Sequence, residues 1–335
     1  MSLGVVIGKF LPPHRGHELL LERALSECDE VVAIICGAEW HDVDAGLRGE
    51  WIGESLPRVL TLVVDQDELG LADDDTQGWA RATIDVLGRY PDVVFTSEDY
   101  GPRYAALMHA RHVMVDRARR ARPISASAIR ANPQAHLDWL APHVRAHYVA
   151  RVCVLGAESS GKTMLARALA AHYGVGFVGE FGRFYTEAMP EPRRYTWRTT
   201  DFERIAGTQA AIEDDAARWT APPLIADTNP FVTAVFHEAY LGTRHPELEA
   251  AARQRRYDLF LICDPATPFK QDATGLRRDG DRRTWMHRRY CEYAESQQAR
   301  VVQVRGPHES RCAQAVEAVD QLCRPTSSHR SSRDS

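Results

Sequence analysis

Three short stretches of this chain carry residue types that act on phosphate. Near its middle stands Gly156-Ala157-Glu158-Ser159-Ser160-Gly161-Lys162-Thr163, inside VCVLGAESSGKTMLARALAAHYG. The stretch matches G-x-x-x-x-G-K-[ST] and lies between a buried-strand pattern and an amphipathic-helix pattern, the context that motif requires. Gly156 and Gly161 let successive backbone N–H groups curl into an anion nest at a helix N-terminus, where the dipole also favours negative charge. Glu158, Ser159 and Ser160 complete the loop, Lys162 reaches the β- and γ-phosphates, and Thr163 offers its hydroxyl to Mg²⁺. The expected cofactors are therefore ATP and Mg²⁺.

The other two stretches are His14-Arg15-Gly16-His17, with Gly8, Lys9 and Phe10 just before it, and Pro123-Ile124-Ser125-Ala126-Ser127-Ala128-Ile129-Arg130. In the first, Gly16 permits close backbone approach and two imidazoles fall near a helix start. That combination suits a polyphosphate attacked at its α-phosphorus, because the developing charge can be met by His, Lys and backbone donors. Two such histidines are also often mere caps. In the second, Ser125 and Ser127 place hydroxyls at a helix start and Arg130 aims a guanidinium at phosphate, and the plain alternative is a serine N-cap.

These residues need strands and helices to position them. LGVVIGKF (3–10), EVVAIICG (30–37), LTLVVDQ (60–66) and DVVFTS (92–97) are near-continuous apolar runs suited to a buried parallel sheet, with helical patterns between them, including 79–90. The second half repeats the plan: a strand before Gly156, another ending at Glu180, then PPLIADT (222–228), RYDLFLICDP (256–265) and ARVVQVRG (299–306), closed by a helical ESRCAQAVEAVDQLC. The fold class expected is α/β, two doubly wound parallel-sheet domains with ligands at the carboxyl ends of the strands. The boundaries expected are 1–131 and 151–324, with a linker at 132–150 that packs as a short helix and a disordered Ser-rich tail at 325–335.

Composition narrows the function. With 335 residues there is room for two domains, and a formal net charge of -5 argues against a nucleic-acid partner. No apolar run is long enough to span a bilayer, and the N-terminus lacks the order of a signal peptide. The seven cysteines form no CxxC pair and mostly sit in apolar surroundings, as in a reducing cytoplasm. The partners expected are small molecules, and homo-oligomer formation is left open.

The pairing GKFxPxHxGH and ISxSxxR resembles the signature of the nucleotidyltransferase superfamily that makes NAD, coenzyme A and CDP-activated compounds. Joined to the downstream phosphate loop, and with GW at Gly78-Trp79, TSEDYG at 96–101 and VDRARRARPIS at 115–125, the chain is similar to the NadR-type bifunctional proteins. The resemblance runs from Leu3 to about Cys323. It implies a nicotinamide-mononucleotide adenylyltransferase domain of Rossmann-like fold followed by a P-loop ribosylnicotinamide kinase domain. Some members begin with a helix-turn-helix DNA-binding domain; here the first strand starts by residue 3, so a direct transcriptional role is not expected.

Under that resemblance His14 and His17 stabilise the transferring group, Lys9 and Arg130 hold the triphosphate, and Trp79 stacks on the pyridinium ring. In the second domain Glu180 takes the proton from the 5′-hydroxyl, Arg183 stands close behind it, and Asp227 completes the Mg²⁺ site with Thr163. Asp272 binds the ribose or amide, although QDATGLR departs from the tighter Asp-Gly-Arg spacing expected there. Arg277, Arg278, Arg282 and Arg283 are lid candidates. The alternatives are the same pair of folds acting on another small molecule, or a nucleotide-sensing regulator without useful turnover.

Overall fold

A computed structural model describes residues 1–266, 268, 270, 271, 274, 276, 278 and 280–323. The chain forms two compact units, Met1–Arg145 and Ala146 onward.

The first unit is built on a five-stranded sheet ordered β3-β2-β1-β4-β5: β1 Leu3–Gly8, β2 Glu30–Gly37, β3 Val59–Asp65, β4 Val93–Thr96 and β5 Arg111–Met114. Every pairing is parallel. The apolar runs of β1, β2 and β4 follow from this, because both faces are covered, whereas the edge strand β3, expected to be buried, leaves Leu60 and Val63 about half exposed. Val6, Ala33 and Ile35 pack with Leu21, Ala24 and Ile52 on one face, while Val5, Val32 and Ile34 pack with Trp79, Ala80 and Tyr104 on the other. The strand β5 escaped the sequence reading: RHVM is short and half polar at the sheet edge, so no apolar run announces it. Chain order reverses at β1, between β2 and β4, and a crevice for ligand is expected at their carboxyl ends.

Pro133–Ala135 and Leu137–Trp139 form 3₁₀ turns, and Pro142–Tyr148 is a helix. Residues up to Arg145 group with the first unit. Leu137, Leu140 and Val144 are buried, and a His143 ring nitrogen lies 2.9 Å from the Trp51 carbonyl oxygen.

The second unit has a five-stranded sheet ordered β10-β9-β6-β8-β7: β6 Arg151–Gly156, β7 Phe177–Val178, β8 Leu224–Asp227, β9 Leu259–Cys263 and β10 Arg300–Val304. It too is parallel throughout. Cys153, Leu155, Phe260 and Ile262 face Phe231 and Tyr290, whereas Val152, Val154, Leu259 and Leu261 face Leu165, Ala166 and Ala315. The strand expected to end at Glu180 stops at Val178, and Glu180 instead caps the helix Phe181–Glu187. The tail from residue 325 lies outside the described residues. No helix among the described residues is long and apolar enough to cross a membrane.

Candidate functional site

In the first unit the chain leaves β1 at Gly8 and turns through Phe10, which is buried and holds φ at 46°. It then enters the helix Arg15–Glu27 with His14 as N-cap. The His14 Nδ1 accepts from the Gly16 N–H at 3.0 Å, and the His17 Nδ1 accepts from the His14 N–H at 3.3 Å. The two imidazoles thus close a reciprocal capping box normally made by Ser and Glu. Their rings stack with centroids 3.8 Å apart, and Phe10 stands edge-on to His17 at 4.9 Å.

This arrangement fixes the chemistry of both rings. With each Nδ1 accepting, each neutral imidazole carries its proton on Nε2 and keeps that N–H for a ligand oxygen. Burial, and then the charge of Arg119, pull His14 down to about 4. Burial, His14 and Arg119 hold His17 well below the usual imidazole value. At neutral pH the pair are hydrogen-bond donors, not cations. A Cβ on Gly16 would lie 2.8 Å from His14 Cε1. Glycine there makes room for the histidine cap, a nearer demand than the phosphate approach expected of it.

The serine-arginine stretch arrives at the same turn. Ser125 is the N-cap of the helix Ala126–Ala131, its Oγ accepting from the Ala128 N–H at 3.1 Å. Arg130 donates to the Leu11 carbonyl at 2.7 Å and reaches Ser127 Oγ at 3.5 Å. Lys9 turns elsewhere: its Nζ bonds Asp73 Oδ2 at 2.7 Å and lies 4.6 Å over the exposed Trp40 ring. Trp79 is core, 7% exposed, with its indole N–H donated to the Ala72 carbonyl at 3.0 Å. The stacking face expected of it is packed inside, and Trp40, 62% exposed, is the aromatic beside Lys9.

In the second unit β6 delivers the phosphate loop. A Cβ on Gly156 would meet Ser160 Oγ at 2.5 Å, so only glycine fits. Ser159 at φ 60° and Gly161 at φ 87° turn the chain into the helix Lys162–Tyr173. The Lys162 ammonium donates to the Ala157 carbonyl at 3.3 Å, and Thr163 Oγ1 donates to Asp227 Oδ2 at 2.6 Å. Asp227 is buried at the end of β8; burial first and the neighbouring Glu180 second push its carboxyl up to about 6. Its Oδ1 has no hydrogen-bond partner, and neither has Ser160 Oγ. Among the described residues no three His, Cys, Asp or Glu converge on a metal. The Thr163 hydroxyl and the orphaned Asp227 oxygen are donors that would suit a nucleotide-borne Mg²⁺.

Beside the loop opens a cavity of about 540 Å³. Lys162, Thr163, Glu180 and Arg183 line one part of it, and Trp197, Phe202, Phe236 and Tyr240 another. Glu180 makes no capping bond with its side chain, and Arg183 lies 3.8 Å from Glu187. Trp197 packs 5.2 Å from Phe202 and 5.4 Å from Tyr240, its buried indole N–H without a partner.

Part of the arginine-rich segment touches the loop. Glu158 accepts from the Arg278 N–H at 3.0 Å, and Ser159 Oγ donates to the Lys270 carbonyl at 2.5 Å. Arg282 lies over Tyr240 at 4.9 Å, and its Nε is 3.9 Å from Glu158 Oε2; that Nε and one terminal nitrogen are buried without a hydrogen bond. Arg283 is tied to the Pro265 carbonyl at 2.8 Å. Asp272 and Arg277 fall outside the described residues.

Three functional candidates escaped the sequence reading. Arg119 sits in a loop knotted by Asp116, whose carboxylate accepts from the N–H groups of Arg120, Ala121 and Arg122. An Asp heading a run of arginines was the available signal. Trp197 and Tyr240 are distant in sequence and become neighbours only through the fold.

Residues 151–311 match the family model of an AAA domain. The chain is 28% identical over 299 residues to the trifunctional NAD biosynthesis/regulator protein NadR of Escherichia coli K12, covering 83% of this chain and 72% of that one. Its counterpart from Salmonella typhimurium LT2 matches to the same extent. A NadR crystal structure in complex with NAD and AMP-PNP superimposes with TM-score 0.72 at 21% identity, and one in complex with NR with TM-score 0.74, each covering 96% of both chains. The chain is thus homologous to NadR and shares the α/β fold of the NadR crystal structures.

Proposed function

We propose that this protein serves NAD biosynthesis with two active sites. The second unit phosphorylates ribosylnicotinamide with ATP. The first joins nicotinamide mononucleotide to the adenylyl group of ATP, giving NAD and pyrophosphate. The observation that carries the reading is the bond between a buried Asp227, whose second oxygen is orphaned, and Thr163, which lines a cavity together with Glu180 and an aromatic wall. A passive nucleotide sensor has no use for an acceptor pocket of that size beside a carboxylate.

In the second unit Lys162 and the loop N–H groups bind the β- and γ-phosphates, and Arg282 supplies unpartnered donors to the group in transit. Mg²⁺, when bound, neutralises charge on the phosphate oxygens. Glu180 accepts the proton of the 5′-hydroxyl, and Arg183 balances the charge beside it. The Trp197 and Tyr240 rings offer faces to a pyridinium cation, an attraction of about 0.5–2 kcal/mol. In the first unit the Nε2–H groups of His14 and His17 and the guanidinium of Arg130 meet the developing charge on the α-phosphate, with Arg119 adding positive potential. Catalysis there rests on positioning and charge stabilisation.

The test is one incubation of the purified chain with ribosylnicotinamide and Mg·ATP, followed by chromatography. The mononucleotide should form first and the dinucleotide after it. A sample that consumes no ATP with either pyridine compound overturns the reading.

A further inference from the structure

One polar side chain in the wall of the second unit's cavity has only half its hydrogen bonds made. The helix Thr199–Trp219 presents Phe202, Ile205 and Gln209 to that cavity, a spacing that sets them on one face. Gln209 is 2% exposed. Its Oε1 accepts from the Phe181 backbone N–H at 2.7 Å, while its Nε2 has no partner. The bond to Phe181 also settles which end of the amide is which, because an N–H there demands an oxygen. A buried donor left unpaired destabilises the chain until it finds an acceptor. The same face carries Phe202 and Ile205, so packing alone asks for another apolar residue.

The position of the amide says what it awaits. Phe181 follows Glu180, so the Gln209 amide stands next to the carboxylate assigned to the 5′-hydroxyl. Phe202 lies seven residues earlier, roughly 10 Å along the helix, and its ring packs on Trp197. A nucleoside placed with its 5′-hydroxyl at Glu180 and its base at the aromatic wall fills that distance, with its sugar against Gln209. The free group is a donor, and the sugar's secondary hydroxyls are acceptors.

We infer that Gln209 Nε2 donates a hydrogen bond to a secondary hydroxyl of the acceptor's ribose, and so selects ribosides over deoxyribosides. This rests on the kinase reading of the second unit. The test uses the full chain and two variants. Gln209→Met removes the donor and the oxygen that accepts from the Phe181 N–H; Gln209→Leu removes both with a different apolar shape. Initial rates are measured with ribosylnicotinamide and with its 2′-deoxy and 3′-deoxy analogues, alongside the KM for ATP and the melting temperature. The wild type should reject one analogue by roughly 10- to 100-fold in kcat/KM, the value of one buried hydrogen bond to the site. Both variants should lose that discrimination through a raised riboside KM, with the KM for ATP unchanged, and both should melt somewhat lower because the Phe181 N–H loses its acceptor. Unaltered selectivity in either folded variant, or parallel rises in both KM values, overturns the assignment. A wild type that phosphorylates no riboside refutes the kinase reading itself, whereas an active wild type with indifferent variants refutes only the role of Gln209.

Discussion

The two phosphate cradles of this chain differ in where their polar groups are directed. In the first unit most are engaged by the protein: His14 and His17 cap their own helix through Nδ1 and keep only Nε2–H, Ser125 caps another, Arg130 holds the Leu11 carbonyl, and Lys9 holds Asp73. In the second unit Asp227 Oδ1, Ser160 Oγ, Gln209 Nε2, the Trp197 indole N–H and two nitrogens of Arg282 are buried without partners. The first cradle exchanges existing bonds for ligand bonds. The second stands open and carries the cost of its unmet groups until ligand arrives, as functional sites often do.

The largest test breaks the comparison at its root. Lys162→Ala should lower ribosylnicotinamide phosphorylation roughly 10²–10³-fold, the usual cost of one preorganised charge contact, and leave NAD formation from the mononucleotide intact. His17→Ala should do the reverse. Loss of both activities in either folded variant, assayed side by side, would mean the sites are not separate.

Protonation sharpens the same contrast, because the two units respond to acid with opposite sign. His14 has its folded value lowered from 6.5 to about 4, so its contribution to stability is present above pH 6.5 and lost as pH falls through 4. Asp227 has its folded value raised from 3.8 to about 6; its contribution is present below pH 3.8 and lost as pH rises through 6. Asp227→Asn should therefore stabilise the nucleotide-free chain at pH 7, by an amount on the order of 2 kcal/mol, and the gain should vanish near pH 4. The same variant should lose phosphorylation and the extra melting temperature conferred by Mg·ATP. Denaturant melts at several pH values would show it, and a variant less stable than wild type at pH 7 would contradict the burial argument.

The parts of this architecture legible in the sequence were those with a strict period or a strict motif. The apolar runs at 30–37 and 259–263 read as buried strands because both sheet faces are covered, and the phosphate loop was legible because few residues tolerate its φ angles. β5 was not, since an edge strand needs no apolar run. Trp79 shows the limit of reading function from residue type: a tryptophan on an amphipathic helix serves a core or a ligand equally well until its burial is known. Gln209 left a readable signal, a polar residue on the apolar face of a long helix between Ile205 and Glu213. Glu213 on that same face is answered by Arg151, Arg255 and Tyr257, so the pattern alone could not tell a structural network from a binding group.

A smaller effect tests how tightly the first cradle is closed. Gly16→Ala puts a methyl 2.8 Å from His14 Cε1, and the ring must leave its cap. Overpacking of this kind costs about 1–3 kcal/mol. NAD formation should fall as well, because a displaced His14 no longer stacks on His17, while phosphorylation stays at the wild-type rate. A variant that melts normally and forms NAD normally would show that the capping box is incidental.

The smallest expected effect concerns Lys9. If the first cradle binds triphosphate by giving up internal bonds, releasing one beforehand should help. Asp73→Asn removes the partner of Lys9 and leaves the Gln66 amide a hydrogen-bond acceptor at the same place. The pair is substantially exposed, so it is worth at most about 1 kcal/mol, and the KM for ATP in NAD formation should drop by no more than a few-fold. Raised salt should weaken triphosphate binding in both proteins but narrow the difference between them, because screening also weakens an exposed ion pair that only the wild type has. A KM that rises in Asp73→Asn would mean that Asp73 aims Lys9 at the nucleotide, and the closed cradle would then be a preorganised one.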